Sequence, residues 1–287
     1  MNQPSLSVVI PAYNEAARLG RTLAEVFAYL GAQAYASEVI VVDDGSTDGT
    51  ADVAEQGFAA AGRTVARLIR VEPNRGKGHA VRAGLLAAAA PVALFSDADL
   101  STPITEAPKL TGPVRSGEYD LVFGSRALDR SLIGVHQSWR REQGGRVFNL
   151  VVRLLTGLPF WDTQCGFKAF RMDTCRPVIE AATIDRFGFD VELLYVAHLA
   201  GLRLREWPVR WDHNEGSKVS VTRDSLRMFN EVRLIRRTAR AGLYDAALAR
   251  ARAAAALPEA RAPIPADPQS PSRSDFPPEL AGSAHRI

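Results

Sequence analysis

Asp97-Ala98-Asp99 closes the apolar run Val92-Ala93-Leu94-Phe95. Side chains two apart on an extended chain point the same way, so the two carboxylates share a face. Left alone they repel. A divalent cation relieves the repulsion, and hard oxygen donors suit Mg²⁺ or Mn²⁺, ions that also bind phosphates. The competing reading is a solvated turn or a helix N-cap, where Asp is common. Asp43-Asp44 stands in the same place after Glu38-Val39-Ile40-Val41-Val42. Gly45, Ser46 and Asp48 beyond it read as turn and N-cap chemistry. That reading leaves two adjacent acids at a strand end unexplained, and a carboxylate there accepts hydrogen bonds from a base N–H or from ribose hydroxyls. Asn74-Arg75-Gly76-Lys77-Gly78 sets a lysine between two glycines ahead of an Ala-rich helix. Such a turn faces phosphate, with Lys77 as a point charge. The Gly-x4-Gly-Lys-Ser/Thr and Gly-x-Gly-x-x-Gly spacings are both absent, which argues against P-loop and nicotinamide chemistry.

The elements that must position these residues alternate. Leu6–Ile10, Glu38–Val42, Val65–Val71, Val92–Ser96 and Asp120–Phe123 read as strands, and Glu15–Leu30 and Thr47–Ala61 as helices. Strands alternating with helices predict an α/β fold, a single Rossmann-like, mainly parallel sheet with helices on both faces. Ligands of such sheets bind beyond the carboxyl ends of the strands. The candidate residues all fall there, together with Gly124-Ser125-Arg126 after the fifth strand.

The 287 residues are 46% hydrophobic, 23% charged and 8% aromatic, ordinary globular usage that excludes wholesale disorder, collagen and disulfide-stapled miniproteins. A formal charge of +3 is too small to argue for a nucleic-acid partner. Cys165 and Cys175 match no zinc or redox spacing and read as two free thiols. The start, Met1 to Ser5, has no basic n-region, and the longest apolar run, Ala83–Phe95, is broken by Gly84 and Pro91. The expected location is the cytoplasm, with peripheral contact on the inner face of the membrane. Residues 1–256 read as one domain. Residues 257–287 hold seven of the 17 prolines and read as a disordered Pro-rich tail.

In this order, Val8-Val9-Ile10-Pro11-Ala12-Tyr13-Asn14-Glu15, Val41-Val42-Asp43-Asp44-Gly45-Ser46, Asn74-x-Gly76-Lys77-Gly78 and Asp97-Ala98-Asp99 resemble the inverting GT-A glycosyltransferases of family 2. Asp162 to Lys168, Phe189 to Leu194 and Gly216-Ser217-Lys218-Val219 resemble its dolichyl-phosphate glucosyltransferase branch, close to the polyprenyl-phosphate mannose synthases. The resemblance spans about residues 5–240. It implies a GT-A fold and a nucleotide-sugar site of Pro11, Ala12, Tyr13, Glu15, Asp43, Asp44, Lys77, Asp97 and Ala98. Asp97 and Asp99 would hold Mg²⁺ or Mn²⁺ on the diphosphate, and Arg126 and Arg141 would grip the acceptor phosphate, a task suited to planar guanidinium groups. Where mannose synthases often have a Gln two residues beyond the acidic pair, Ser101 stands here. Asp99, Asp190 and Arg126 are the residues it implies for catalysis. Asp190 and Glu192 occupy the place of the base in relatives with hydroxyl acceptors. A lipid phosphate is already an anion, so they are expected to orient sugar hydroxyls or an acceptor-binding Arg. The alternative is a helix N-cap at Asp190 with a first-turn acid.

The implied reaction moves glucose from UDP-glucose to a polyprenyl phosphate. The alternatives are a GDP-mannose-dependent mannosyltransferase, a soluble enzyme with a hydroxyl acceptor, and a nucleotide-binding protein without turnover. Self-association into a homo-oligomer is left open. For membrane contact, a helix from Ser225 carries Met228, Val232, Ile235, Ala239 and Leu243 on one stripe, with Arg233, Arg236, Arg237 and Arg240 on an adjoining band. The stripe is expected to pack on the core and the arginines to meet anionic lipid. The stretch Trp139, Phe148, Leu150, Leu154, Leu155, Leu158, Phe160 and Trp161 reads either as a wall for a prenyl chain or as a buried helix.

Overall fold

The computed structural model describes residues 3–135, 139–213 and 221–264, the side chains of 139–142 and 221–226 excepted. In chain order the elements are β1 (Leu6–Ala12), α1 (Ala16–Gly31), β2 (Ser37–Asp43), α2 (Thr50–Gly57), β3 (Val65–Arg70), α3 (Lys77–Ala87), β4 (Val92–Ser96), α4 (Ala107–Arg115) and β5 (Leu121–Ser125). There follow β6 (Ile133–Val135), α5 (Trp139–Thr156), β7 (Phe167–Arg171), α6 (Met172–Ala181), α7 (Phe189–Leu199), β8 (Leu204–Pro208), β9 (Trp211–Asp212), α8 (Val221–Arg240) and α9 (Asp245–Ala256).

Seven strands form one sheet in the order β3-β2-β1-β4-β7-β5-β8, and β6 pairs with β9 in a separate ribbon. Every neighbouring pair in the large sheet is parallel except those of β7, which runs antiparallel to β4 and β5. This is the α/β architecture that the alternation predicts. Period-2 alternation divides the apolar residues of β1 between two cores. Val9 packs with α3, α6 and α7 residues on one face. Leu6, Val8 and Ile10 pack with Leu19, Leu23, Val26 and Leu30 of α1 on the other. Both faces being covered, β1 and β2 read as near-continuous apolar runs.

β7 is a strand that the apolar pattern does not announce, because Lys168 and Arg171 interrupt it. All five of its residues are nevertheless buried. Its direction matters for the site: Ser96 pairs with Phe167 and Phe123 with Lys168, so the start of β7 lies beside the ends of β4 and β5. The segment that precedes β7 therefore reaches the same rim as the segments that follow β4 and β5.

The chain expected to leave the domain at Leu257 stays on it for its first residues. Pro258–Arg261 form a 3₁₀ turn, Ala260 is buried, and the Ile264 N–H donates to the Arg115 carbonyl. The cause is Arg171, only 1% exposed, whose Nη2 donates to the carbonyls of Glu259 (2.9 Å) and Ala262 (3.0 Å). Residues 265–287, the rest of the expected tail, lie outside the described residues. Ending the chain at Ala256 strands a buried guanidinium, at a cost of about 3 kcal/mol. Relative to a chain ending at Ile264, the melting temperature is expected to fall by roughly 10 °C. Equal melting temperatures by calorimetry would show that Arg171 does not depend on this turn.

In α8, Met228, Val232 and Ile235 are buried, so this stripe packs on the core. Leu243, expected to extend it, is 72% exposed. α5 has two apolar sides: Phe148 and Val152 face inward with Leu158 and Phe160 beyond the helix, while Val147, Leu150, Leu154 and Trp161 are exposed. Among the described residues, no helix is long and apolar enough to cross a membrane.

Candidate active site

Three loops beyond β1, β2 and β3 are tied together before any ligand is considered. Asn14 adopts a left-handed φ of 53°, its N–H donates to Ser46 Oγ (2.8 Å) and its Oδ1 accepts from the Thr47 N–H (2.8 Å). The Glu15 N–H donates to Thr50 Oγ1. Asp43 Oδ1 accepts from the Ser46 N–H. Asp44, 2% exposed, holds the third loop: Oδ1 accepts from the Arg75 N–H (3.0 Å), and Oδ2 from the Gly76 N–H (2.7 Å) and Asn74 Nδ2 (2.8 Å). Of the residues expected at the nucleotide-sugar site, Pro11 and Ala12 are buried within β1 and Ala98 is buried in the core. Their side chains do not line the rim. Tyr13, 42% exposed, stands on it. Asp43 and Asp44 shape the turns around the rim.

Asp44 thus presents Lys77. Gly76, at φ +117°, lies against the Asp185 carbonyl, where a Cβ would come within 2.5 Å, and it lets the chain enter α3 at Lys77. Lys77 Nζ then meets Asp97 Oδ1 at 2.6 Å. Burial opposes the ammonium charge, but Asp97 and Asp190 more than offset this, leaving the Lys77 pKa above its ordinary value. Asp97 and Asp99 occupy the turn after β4, both partly exposed. Asp99 Oδ1 accepts from the Ser101 N–H at 2.9 Å, which orients its carboxylate. Arg18 in α1 pairs with Glu15, and its Nη1 lies 4.0 Å from Asp99 Oδ2. The sequence reasoning missed Arg18; one turn beyond Asn14-Glu15, it reads as an ordinary surface residue of α1.

Behind this cluster is a second, deeper ion pair. Lys168 in β7 is fully buried; its Nζ lies 2.7 Å from Asp190 Oδ1 and also donates to the Cys165 carbonyl. Phe95 sits beneath both lysines, 5.5 Å from Lys77 Nζ and 5.9 Å from Lys168 Nζ to its centroid. Burial pushes the Asp190 carboxyl above its ordinary range, Lys168 and Lys77 oppose the shift, and Asp97 adds to it. The N-cap of α7 is Gly188, so Asp190 is not its cap. Glu192 belongs elsewhere: fully buried, it accepts from the N–H groups of Thr183 and Ile184, Thr183 Oγ1 and Tyr244 Oη. It latches the loop before α7 to Tyr244, and the sugar-orienting role expected for it does not hold.

The third part comes from β5 and the segment before β7. Arg126 Nε and Nη2 form a bidentate pair with Asp162 Oδ2 (2.7 Å) and Oδ1 (2.8 Å), with Trp211 5.7 Å from the guanidinium. Burial opposes the charge, while Asp162 raises the pKa above its ordinary value. Asp162 is fixed in turn, its N–H donating to Glu206 Oε1. Arg141, expected to share the acceptor phosphate, lies outside the described side chains, as does Gly216-Ser217-Lys218-Val219. Cys165 is buried, and burial pushes its thiol up to about 12, so it is no nucleophile.

Gly166 joins the parts. Its carbonyl accepts from the Asp97 N–H, and a Cβ on it would come within 2.0 Å of Asp97 Oδ2. Gly166→Ala is therefore expected to push the Asp97 carboxylate out of place and lower kcat/KM by up to about 10²-fold. An unchanged kcat/KM would mean that the position of this carboxylate is unimportant.

Charged side chains of both signs at the carboxyl ends of a mostly parallel sheet, with one antiparallel strand admitted at its centre, form the architecture of the GT-A glycosyltransferases. The chain belongs to glycosyl transferase family 2, whose model matches residues 7–176, and it is a glycosyltransferase. It is 37% identical over 241 residues to the dolichyl-phosphate beta-glucosyltransferase of Drosophila melanogaster, covering 80% of this chain and 74% of the relative. It is 35% identical over 242 residues to the enzyme of that name from Homo sapiens, covering 80% and 74%. Among solved structures it is similar in fold to glucosyl-3-phosphoglycerate synthase from Mycobacterium tuberculosis in complex with uridine-diphosphate (TM-score 0.55, 23% identity, 86% of this chain and 80% of that one).

Proposed function

We propose that the protein transfers glucose from UDP-glucose to a polyprenyl phosphate, with inversion at the anomeric carbon. The observation that carries this reading is the arrangement of Asp97, Asp99, Lys77 and Arg18: a pair of carboxylates flanked by two cations at the rim. The glucosyltransferase names of the relatives support the sugar and the lipid acceptor. Among the described residues no third His, Cys, Asp or Glu completes a protein metal site. Two carboxylates on one turn still suit Mg²⁺ or Mn²⁺, with diphosphate oxygens and water as the remaining ligands. When bound, the ion supplies charge stabilisation to the departing diphosphate.

In this reading Lys77 adds a cation beside the same leaving group. The acceptor phosphate oxygen forms its bond to the anomeric carbon as the bond from that carbon to the diphosphate oxygen breaks. The incoming oxygen is already ionised, so no proton need be removed. Asp190, held by Lys168, then acts by fixing charge and sugar orientation. Arg126, preorganised by Asp162, is the cation nearest the acceptor side.

The test is direct. Purified protein with Mn²⁺ and UDP-glucose is expected to release UDP and form a glucosyl phospholipid when given a polyprenyl phosphate. A faster reaction with GDP-mannose would overturn the donor. UDP release with hydroxyl acceptors alone would overturn the acceptor.

A further inference from the structure

The outer face of α5 carries an apolar stripe that nothing in the proposed chemistry uses. Val147, Leu150 and Leu154 recur at helical spacing and are 61%, 52% and 75% exposed. Trp161, 56% exposed, follows in the connection to β7, and the Arg153 guanidinium stacks on its ring at 3.9 Å. The opposite side of α5 is in the core, and the helix packs against α8. Single exposed apolar residues need no explanation, but a stripe of aliphatic side chains beside an indole marks an interaction surface.

Charge identifies the partner. Residues 139–161 and 221–240 together hold ten Lys or Arg against three Asp or Glu, while the whole chain holds 35 against 32. The remainder of the protein is thus net acidic, and the positive charge is concentrated on the two helices that bear or adjoin the stripe. Position agrees. Trp161 immediately precedes Asp162, the partner of Arg126, so the stripe begins one residue from the acceptor side of the site. Exposed aliphatic side chains and an indole with an arginine stacked on it, on a segment rich in basic residues, suit the boundary between headgroups and acyl chains of an anionic bilayer.

We infer that α5, through Leu150, Leu154 and Trp161, seats the protein on an anionic lipid surface with the Arg126 side of the rim toward the membrane. This deepens the reading of a lipid-phosphate acceptor and rests on it: a buried prenyl chain is met only by an enzyme whose acceptor side lies on the bilayer. The sequence expectation gave the anionic-lipid contact to the α8 arginines and read this stretch either as a wall for a prenyl chain or as a buried helix; the exposed side of α5 makes it a bilayer contact.

The experiment compares the full chain with the variant Leu150→Glu/Leu154→Glu, both positions being solvent-facing. Wild-type protein is expected to sediment with vesicles of phosphatidylcholine containing about 30% phosphatidylglycerol and only weakly with phosphatidylcholine alone. The variant is expected to lose vesicle binding by at least about tenfold and to lose activity on vesicle-borne polyprenyl phosphate. Its kcat/KM on a water-soluble, short-chain prenyl phosphate is expected to stay at the wild-type value. Equal sedimentation of the two proteins overturns the inference. So does a solution dimer that the variant dissociates while neither protein binds vesicles. Vesicle binding that the variant abolishes, in a protein that glucosylates no prenyl phosphate, supports the surface and refutes the acceptor.

Discussion

Replacing Asp97 by Asn is expected to lower turnover by about 10³-fold or more while leaving the folded protein intact. The substitution keeps the shape and the backbone link to Gly166 but removes the charge that faces Lys77 at 2.6 Å. It also removes half of the carboxylate pair proposed to hold the metal. Because the Asp97 side chain is 30% exposed, the change costs little in packing. The accompanying measurement is a thermal shift. Mn²⁺ with UDP is expected to raise the melting temperature of the wild type, since a ligand that binds only the native state stabilises it. The variant is expected to lose the part of that rise that depends on Mn²⁺. Chelation of the wild type is expected to abolish turnover, and added Mn²⁺ to restore it. A variant with wild-type turnover, or a wild type indifferent to chelation, would remove the metal from the proposed function.

Lys168→Met is expected to damage both stability and rate. The ammonium it removes is fully buried and is the direct partner of Asp190, itself 4% exposed. Breaking such a pair from one side costs about 3–5 kcal/mol, because the remaining charge stays buried. Turnover is expected to fall by about 10²–10³-fold. Asp190 already titrates above the ordinary carboxylate range because of burial, and losing Lys168 raises it further. Any acidic limb of the kcat profile that requires ionised Asp190 therefore moves to higher pH in the variant. The sign for stability follows. A carboxyl whose folded pKa exceeds its unfolded one binds protons more readily in the native state. The variant accordingly loses stability, relative to wild type, as pH rises from the ordinary carboxylate value toward the raised one. Lys168→Met/Asp190→Asn removes both charges and is expected to recover part of the stability but not the rate. Recovery of the rate as well would reduce the pair to a structural role.

The parallel frame was legible because β1, β2 and β4 are buried on both faces and advertise themselves as apolar runs. The acids after them were legible for a related reason: charged residues directly behind apolar runs stand out from the pattern. What was not legible was how each acid is used. Asp44 and Asp97 look alike in the chain, yet one is consumed by backbone N–H groups and the other meets a lysine. β7 was hidden by two buried cations whose counter-charges lie far away in sequence, in Asp190 and in the carbonyls after α9. Glu192 was misread for the same reason, since its partner Tyr244 is remote. The Pro-rich composition after Leu257 carried no record of the buried arginine that holds its first turn.

The antiparallel run of β7 has a consequence for how specificity is inherited. The segments tied around Lys77, Asp97 and Asp99 lie within the first hundred residues, each following a parallel strand. Asp162 reaches the rim from the opposite chain direction, ahead of β7, and the exposed stripe of α5 lies in the same excursion between β5 and β7. An insertion or exchange in that excursion can remodel what approaches Arg126 without shifting the register of any strand in the other half, because both of its ends are anchored by sheet pairing. Under the proposed function the donor meets mainly the first block and the acceptor the second, with Gly166 joining the two at Asp97. On that reading a lineage can trade one acceptor for another by exchanging the part of this excursion ahead of Gly166, the residue that holds Asp97 in place.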